Sequence, residues 1–153
     1  MVTSPRDEAP DPLAERGLAG VQERHELIPF SNEEYEERLA RVRRSMQRAG
    51  LDLLFLTAPE SMCYLHGYEA RWYRAHSTRS WPPCAGTAVH VDRDRLIHFD
   101  FVDEASLLPA TSVVEDIRFY PDESEATCLR FLKGQLEDAG WLKGSVQELY
   151  MVM

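Results

Sequence analysis

Long apolar runs are missing from this sequence. No stretch of about 18 apolar residues occurs, and the amino terminus has neither the cationic start nor the apolar centre of an export signal. Membrane spanning and export are not expected, and a cytoplasmic setting is. Cysteine is scarce too: Cys63, Cys84 and Cys128 make an odd count with no CxxC pair, which argues against a disulfide framework and a four-cysteine zinc site. Free thiols are expected. Basic residues are outnumbered, with 17 Lys and Arg against 26 Asp and Glu, and the net charge of −9 repels a polyanion, so nucleic acid is not an expected partner. There is no GxSxG nucleophile elbow, Walker A loop, GxGxxG or HExxH. The 153 residues also leave little room for a two-lobed metalloenzyme, whose additional domain takes on the order of 100 to 200 residues.

What is present fits one globular domain, with 44% hydrophobic and 28% charged positions. Residues 1–28 carry Pro5, Pro10, Pro12, Gly17 and Gly20 among mixed charges, without periodicity, and are expected to be a flexible tail. The domain is expected over residues 29–153. Ser31 stands as a helix N-cap with Glu34 three residues on and Phe30 as a hydrophobic staple. Tyr35, Leu39, Val42 and Met46 then recur at helical spacing, with Glu and Arg on the other face and Gly50 as the left-handed stop.

Leu53 to Thr57 is a short continuous apolar run, the pattern of a strand buried on both faces in a parallel sheet. Pro59 to Tyr64 reads as a short helix ending at Gly67, and residues 69–83 as a polar and aromatic loop. Thr87 to Val91 and Leu96 to Phe101 flank Asp92 to Arg95 as two hairpin strands. A short helix over Asp103 to Leu108, a strand over Val113 to Tyr120, a helix over Asp122 to Ala139 and a strand over Ser145 to Val152 complete the series. In the second long helix Ala126, Leu129, Phe131, Leu132 and Leu136 are placed mostly on one face. Alternating helices and strands predict one α/β domain with a mixed sheet covered by helices.

Chemistry-bearing residues are few. Cys63 and His66 share a helix face, and with His76 and Cys84 they outline a zinc site, but the spacing lacks a second close pair and isolated Cys and His are usually packed or solvated. Asp100, Asp103, Glu104 and Asp116 outline a two-metal carboxylate cluster, for which strand-end and capping roles are the simpler account. No metal and no cofactor are expected. The most unusual stretch is Arg71 to Trp81, where three arginines, three large aromatics and His76 stand together outside any periodicity. Arginine donors and aromatic stacking area suit a small carboxylate or a partner surface, and the same residues suit a loop packed on its own domain.

The order of these signals resembles the N-terminal domain of the creatinase, prolidase and aminopeptidase P family. The resemblance runs through Phe30 to Leu39 with Met46, then Gly50 to Thr57, then Pro59 to Tyr68, where Tyr64-Leu65-His66-Gly67-Tyr68 is similar to the family's Tyr-Leu-Thr-Gly-Tyr with His66 in place of Thr. It implies a three-layer α/β/α domain with a ribonuclease H-like sheet. It also implies a substrate-gating and dimerising domain without catalysis of its own, since no segment corresponds to the pita-bread catalytic domain and its metal ligands. The expected catalytic residues are therefore none. The expected substrate contacts are Arg79 and Trp81, whose order is reversed relative to creatinase, with Trp72 and Arg74 as substitutes. A homodimer, or a pairing with the catalytic domain of a related hydrolase, is the implied assembly. Two rivals stand: a free-standing small-carboxylate-binding or interaction module using loop 71–81, and an enzyme acting alone through that loop or the acidic strand ends.

Overall fold

The computed structural model of the protein describes residues 27–70, 84–122 and 124–142, and the backbone of 151–152. Helix α1 spans Asn32–Ala49. Its N-cap is Ser31, whose hydroxyl accepts from the Glu34 N–H at 3.4 Å. Phe30 meets Tyr35 edge-to-face at 6.0 Å, the expected staple. At the other end Gly50 takes φ 67°, and the N–H groups of Gly50 and Leu51 return to the carbonyls of Gln47 and Met46, a Schellman stop.

One residue of the expected solvent face is not on it. Arg38 is buried, with its guanidinium 4.0 Å from the Phe30 ring centre and 4.9 Å from that of Tyr64, bonded to Glu34 at 2.9 Å and to the Tyr64 carbonyl at 3.0 Å. It ties α1 to α2, the helix Pro59–His66. Arg38→Ala removes the stacking, the packed stem and a charged donor to a carbonyl, so a loss of about 2 kcal/mol in urea unfolding is expected. A loss under about 0.5 kcal/mol, the scale of an ordinary surface change, would contradict the clamp.

The sheet has the order β4-β3-β2-β1-β5, with β1 Leu53–Leu56, β2 Gly86–His90, β3 Leu96–Asp100, β4 Asp116–Phe119 and β5 Met151–Val152. β1 pairs in parallel with β5, and β3 with β4, while β2 runs antiparallel to both of its neighbours. The mixed sheet is as expected, although the apolar run of β1 sits beside an antiparallel strand on one side. Leu39, Met46 and Leu65 from α1 and α2 pack on Leu56, Val89 and Leu96 at one face. On the other, helix α4 (Glu125–Asp138) packs Cys128, Leu132 and Leu136 on Phe55, Ala88, Ile97, Phe99 and Tyr120. Helices on both faces make three layers.

Several expected elements shift. The helix over Asp103 to Leu108 is instead a 3-10 turn at Val102–Glu104 and helix α3 at Leu108–Thr111. Pro109 suits the first turn of α3 and so draws the helix beyond the expected segment. Only Asp116–Phe119 of the strand over Val113 to Tyr120 joins the sheet, because Val113 is tied instead to the His66 carbonyl at 2.9 Å. Ala126 and Leu129 are exposed: Cys128, Leu132 and Leu136 define the buried stripe at spacings of four, and residue 129 lies about 100° round from it. At the end of the chain Met151 and Val152 pair with Phe55 and Leu56, while 145–150 lies outside the described residues. Among the described residues no helix is long and apolar enough to cross a membrane.

Candidate functional site

Of the pairs between the two hairpin strands, Thr87 with His98 is polar on both sides, and it lies in the row Leu56, Thr87, His98 and Ile117. On a strand, residues two apart share a face, so Asp100 follows His98 towards the carboxyl end of β3 on the same side as Leu96. Helix α2 covers that side and delivers His66 from its last turn. Gly67 then takes φ 86°, and Tyr68 comes back to the sheet. A side chain at Gly67 has no room, since its Cβ would lie 2.8 Å from both the Thr111 carbonyl oxygen and the Tyr35 hydroxyl.

Six polar side chains form one buried line. Ser112 Oγ is 2.8 Å from His66 Nδ1, His66 Nε2 is 2.8 Å from Thr87 Oγ1, and Thr87 Oγ1 is 2.8 Å from His98 Nδ1. His98 Nε2 is 3.3 Å from Asp100 Oδ2, and the Tyr68 hydroxyl donates to that same oxygen at 2.9 Å. His66, Tyr68, Thr87 and His98 are fully buried, Asp100 is 1% exposed and Ser112 6%. The rings pack as they bond: His98 stands edge-on to His66 at 5.2 Å and to Tyr68 at 5.1 Å.

The ends of the line fix its direction. As a carboxylate Asp100 only accepts, from the Phe101 N–H, from Tyr68 and from His98 Nε2–H. Neutral His98 then accepts at Nδ1, so Thr87 donates its hydroxyl proton there and accepts from His66 Nε2–H. His66 Nδ1 in turn accepts from the Ser112 hydroxyl, whose oxygen accepts from the Val114 N–H at 3.1 Å. With both imidazoles neutral and protonated at Nε2, each hydroxyl and each ring nitrogen of the line has a partner. The low dielectric of the interior strengthens such a connected set and makes its loss costly.

Electrostatics agree with that assignment. Burial first, and the adjoining His98 second, push His66 well below the usual imidazole range. A buried histidine with depressed proton affinity contributes its full stability above about pH 6.5 and loses it as pH falls, by at most about 1.4 kcal/mol per pH unit for one proton. Burial, then the Asp100 and Glu104 carboxylates, raise the Tyr68 hydroxyl far above an ordinary phenol, which keeps it a donor. Cys84 is likewise pushed up to about 11, by burial first and Cys128 second.

Of the residues expected to touch substrate, Arg79, Trp81, Trp72 and Arg74 all lie in 71–83, outside the described residues. The two roots of that segment are described. Tyr68 and Ala70 precede it, Cys84 and Ala85 follow it, all four are buried, and the Tyr120 hydroxyl donates to the Cys84 carbonyl at 2.6 Å. Both roots sit at the carboxyl end of the parallel strands. The four-residue zinc outline is not assembled. His66 spends both nitrogens on Ser112 and Thr87, Cys84 packs beside Cys128 and Phe99 on the α4 side of the sheet, and His76 lies outside the described residues. Among the described residues no group of three or more His, Cys, Asp or Glu can hold a metal.

The acidic outline is assembled only in part: Asp100 and Glu104 meet at the Tyr68 hydroxyl, and Asp116 stands apart. Asp100 belongs to the buried line, whereas Asp116 is held at the start of β4 by Arg118 at 2.9 Å and Arg95 at 3.4 Å. Thr87, His98 and Ser112 were not among the expected site residues. The legible signal was the polar pair His98 and Asp100, two apart in a strand otherwise apolar.

A mixed sheet between two helical layers, with a buried polar line at its carboxyl edge, defines an α/β domain. A family model described as the creatinase/prolidase N-terminal domain matches residues 38–145, and the chain belongs to that family. Two curated relatives match shorter stretches. An uncharacterized hydrolase/peptidase, y4tM, of Sinorhizobium fredii is 41% identical over 44 residues, 29% of this chain and 11% of that protein. The ectoine hydrolase of Halomonas elongata is 39% identical over 49 residues, 32% of this chain and 12% of that protein. The matches thus span only about a ninth to an eighth of those relatives' own length. A solved Xaa-Pro aminopeptidase from Streptococcus pyogenes is similar with a TM-score of 0.51 at 21% identity, over 72% of this chain and 71% of that one, a likeness of fold.

Proposed function

We propose that this chain is the non-catalytic N-terminal domain of a creatinase/Xaa-Pro peptidase-like hydrolase, which gates substrate and dimerises while the catalytic domain of such a hydrolase does the chemistry. The observation that carries the reading is the placement of both roots of segment 71–83 at the carboxyl edge of β1, β3 and β4, the edge where open α/β sheets take their ligands. Arg79 and Trp81 would there meet the substrate of a catalytic domain, with a planar donor for a carboxylate and an indole for stacking; Trp72 and Arg74 are the substitutes. Homodimerisation would bring that edge to a partner subunit, in a cytoplasmic setting.

Two measurements on the purified chain test this. With manganese or cobalt and an Xaa-Pro dipeptide or ectoine, no turnover is expected; turnover abolished by Arg79→Ala would make the chain an enzyme in its own right. Light scattering at micromolar concentration is expected to give twice the 17.6 kDa of one chain, and a 17.6 kDa species alone would remove the dimerising role. Calorimetric binding of a small carboxylate to the chain by itself, lost in Arg79→Ala, would replace gating by the free-standing module.

A further inference from the structure

We propose that the buried line from Ser112 to Tyr68 is an acid-sensitive latch, which holds the corner His66-Gly67-Tyr68 on the sheet while both imidazoles are neutral and releases it when the pair takes up protons. The proposal stands on the connectivity of the described residues and does not depend on what segment 71–83 binds.

Two of the three corner residues end their side chains in the same line, on either side of one left-handed glycine. His66 reaches Ser112 and Thr87, and Tyr68 reaches Asp100. The backbone adds the tie from Val113 N–H to the His66 carbonyl. The Tyr68 hydroxyl is held by Asp100, with Glu104 beside it, and Asp100 accepts in turn from His98 and from the Phe101 N–H.

A proton added at either ring strands one hydroxyl of the line. At His66 Nδ1 it faces Ser112 Oγ, so the Ser112 hydroxyl must turn away and its proton loses its acceptor. At His98 Nδ1 it faces Thr87 Oγ1, so the Thr87 hydroxyl proton loses that nitrogen and can regain an acceptor at His66 Nε2 only by displacing the Ser112 proton in turn. A second proton makes both rings cationic at 5.2 Å with one carboxylate, Asp100, in line. Among the described residues, the titratable groups facing the pair are Asp100 from β3, the Tyr68 hydroxyl with Glu104 from the 3-10 turn, and from α1 the Tyr35 hydroxyl, which lies against Gly67. Burial and mutual proximity act on His66 in the same sense, against charge. Above the usual histidine range the latch is shut, and acid opens it from the ring side.

Amide hydrogen exchange followed by mass spectrometry on the whole chain tests this, with rates corrected for the intrinsic pH dependence. Between about pH 7 and about pH 5, peptides covering 59–70 are expected to lose protection at least about tenfold while those covering α4 keep theirs. His66→Gln offers an acceptor and a donor but takes no proton, so it should reduce that loss to below about twofold. Equal loss in α4, no loss at 59–70, or a loss that persists in His66→Gln would each overturn the latch. Should His66→Gln fail to fold, nitrogen-15 NMR of the wild-type imidazoles decides. Both rings in the Nε2–H form at neutral pH, changing together on acidification, are expected; an Nδ1–H ring or independent changes would overturn it.

Discussion

Replacing His66 with Ala is expected to cost about 3 to 5 kcal/mol in urea unfolding at neutral pH, close to the whole stability of a small domain. The imidazole is fully buried between α2 and the sheet, so its loss opens a cavity. It also leaves Ser112 without the acceptor and Thr87 without the donor that His66 supplied, each 2.8 Å away, and a buried group deprived of its partner costs about 1 to 3 kcal/mol. His66→Gln keeps an acceptor and a donor at comparable reach and should cost about 1 to 2 kcal/mol, which separates the hydrogen bonds from simple volume. A His66→Ala penalty below about 1 kcal/mol would mean that the line is not closed in solution.

That the line hangs on His66 explains an apparent oddity of the sequence. Where the family resemblance gives Thr, this chain has His66, and a ring there does what a short hydroxyl cannot: it bridges from the turn at Ser112 to the sheet at Thr87. The departure from the motif was legible, but its meaning was not. Ser112 and Thr87 lie 46 and 21 residues away, and no local period relates them to α2. Helix α1, by contrast, was legible to its last turn, because its signals are local: a capping hydroxyl, a staple at fixed spacing, a left-handed glycine.

Arg38 marks the boundary between the two kinds of information. Its place on α1 followed from periodicity, but its burial depends on Tyr64 of another helix coming alongside. Asp116 falls outside the acidic outline for the reverse reason. Asp100 and Asp116 read as similar strand-end carboxylates, yet the parallel pairing of β3 with β4 sets Asp116 opposite Ile97, at the far end of β3 from Asp100. The cysteine and histidine outline failed because the sheet stands between its members, Cys84 facing α4 and His66 facing Thr87.

Gly86→Ala is the second change expected to be severe, at about 3 kcal/mol or more, above the usual cost of an extra methyl in a packed core. Gly86 opens β2 opposite Phe99, one residue before Thr87 of the buried line. A Cβ there would lie 2.5 Å from the Leu56 carbonyl oxygen, and 2.9 and 3.0 Å from two atoms of the Phe55 ring. Rotating an aromatic ring relieves one of these contacts. The carbonyl belongs to β1, whose residues Leu53 to Leu56 pair one-to-one with His90 to Thr87, so it retreats only by pulling β1 from β2 and Thr87 from its partners. Loss of stability should therefore come with loss of the His66 pH response, because the same strand end serves both. Gly134→Ala is the control. It sits inside α4 with nothing within 4 Å of a new Cβ, and the helical preference of alanine should add about 0.5 to 1 kcal/mol. Urea midpoints of the two variants should move in opposite directions. A Gly86→Ala protein as stable as the parent would show that β1 and β2 do not pack as closely as the Leu56 carbonyl requires.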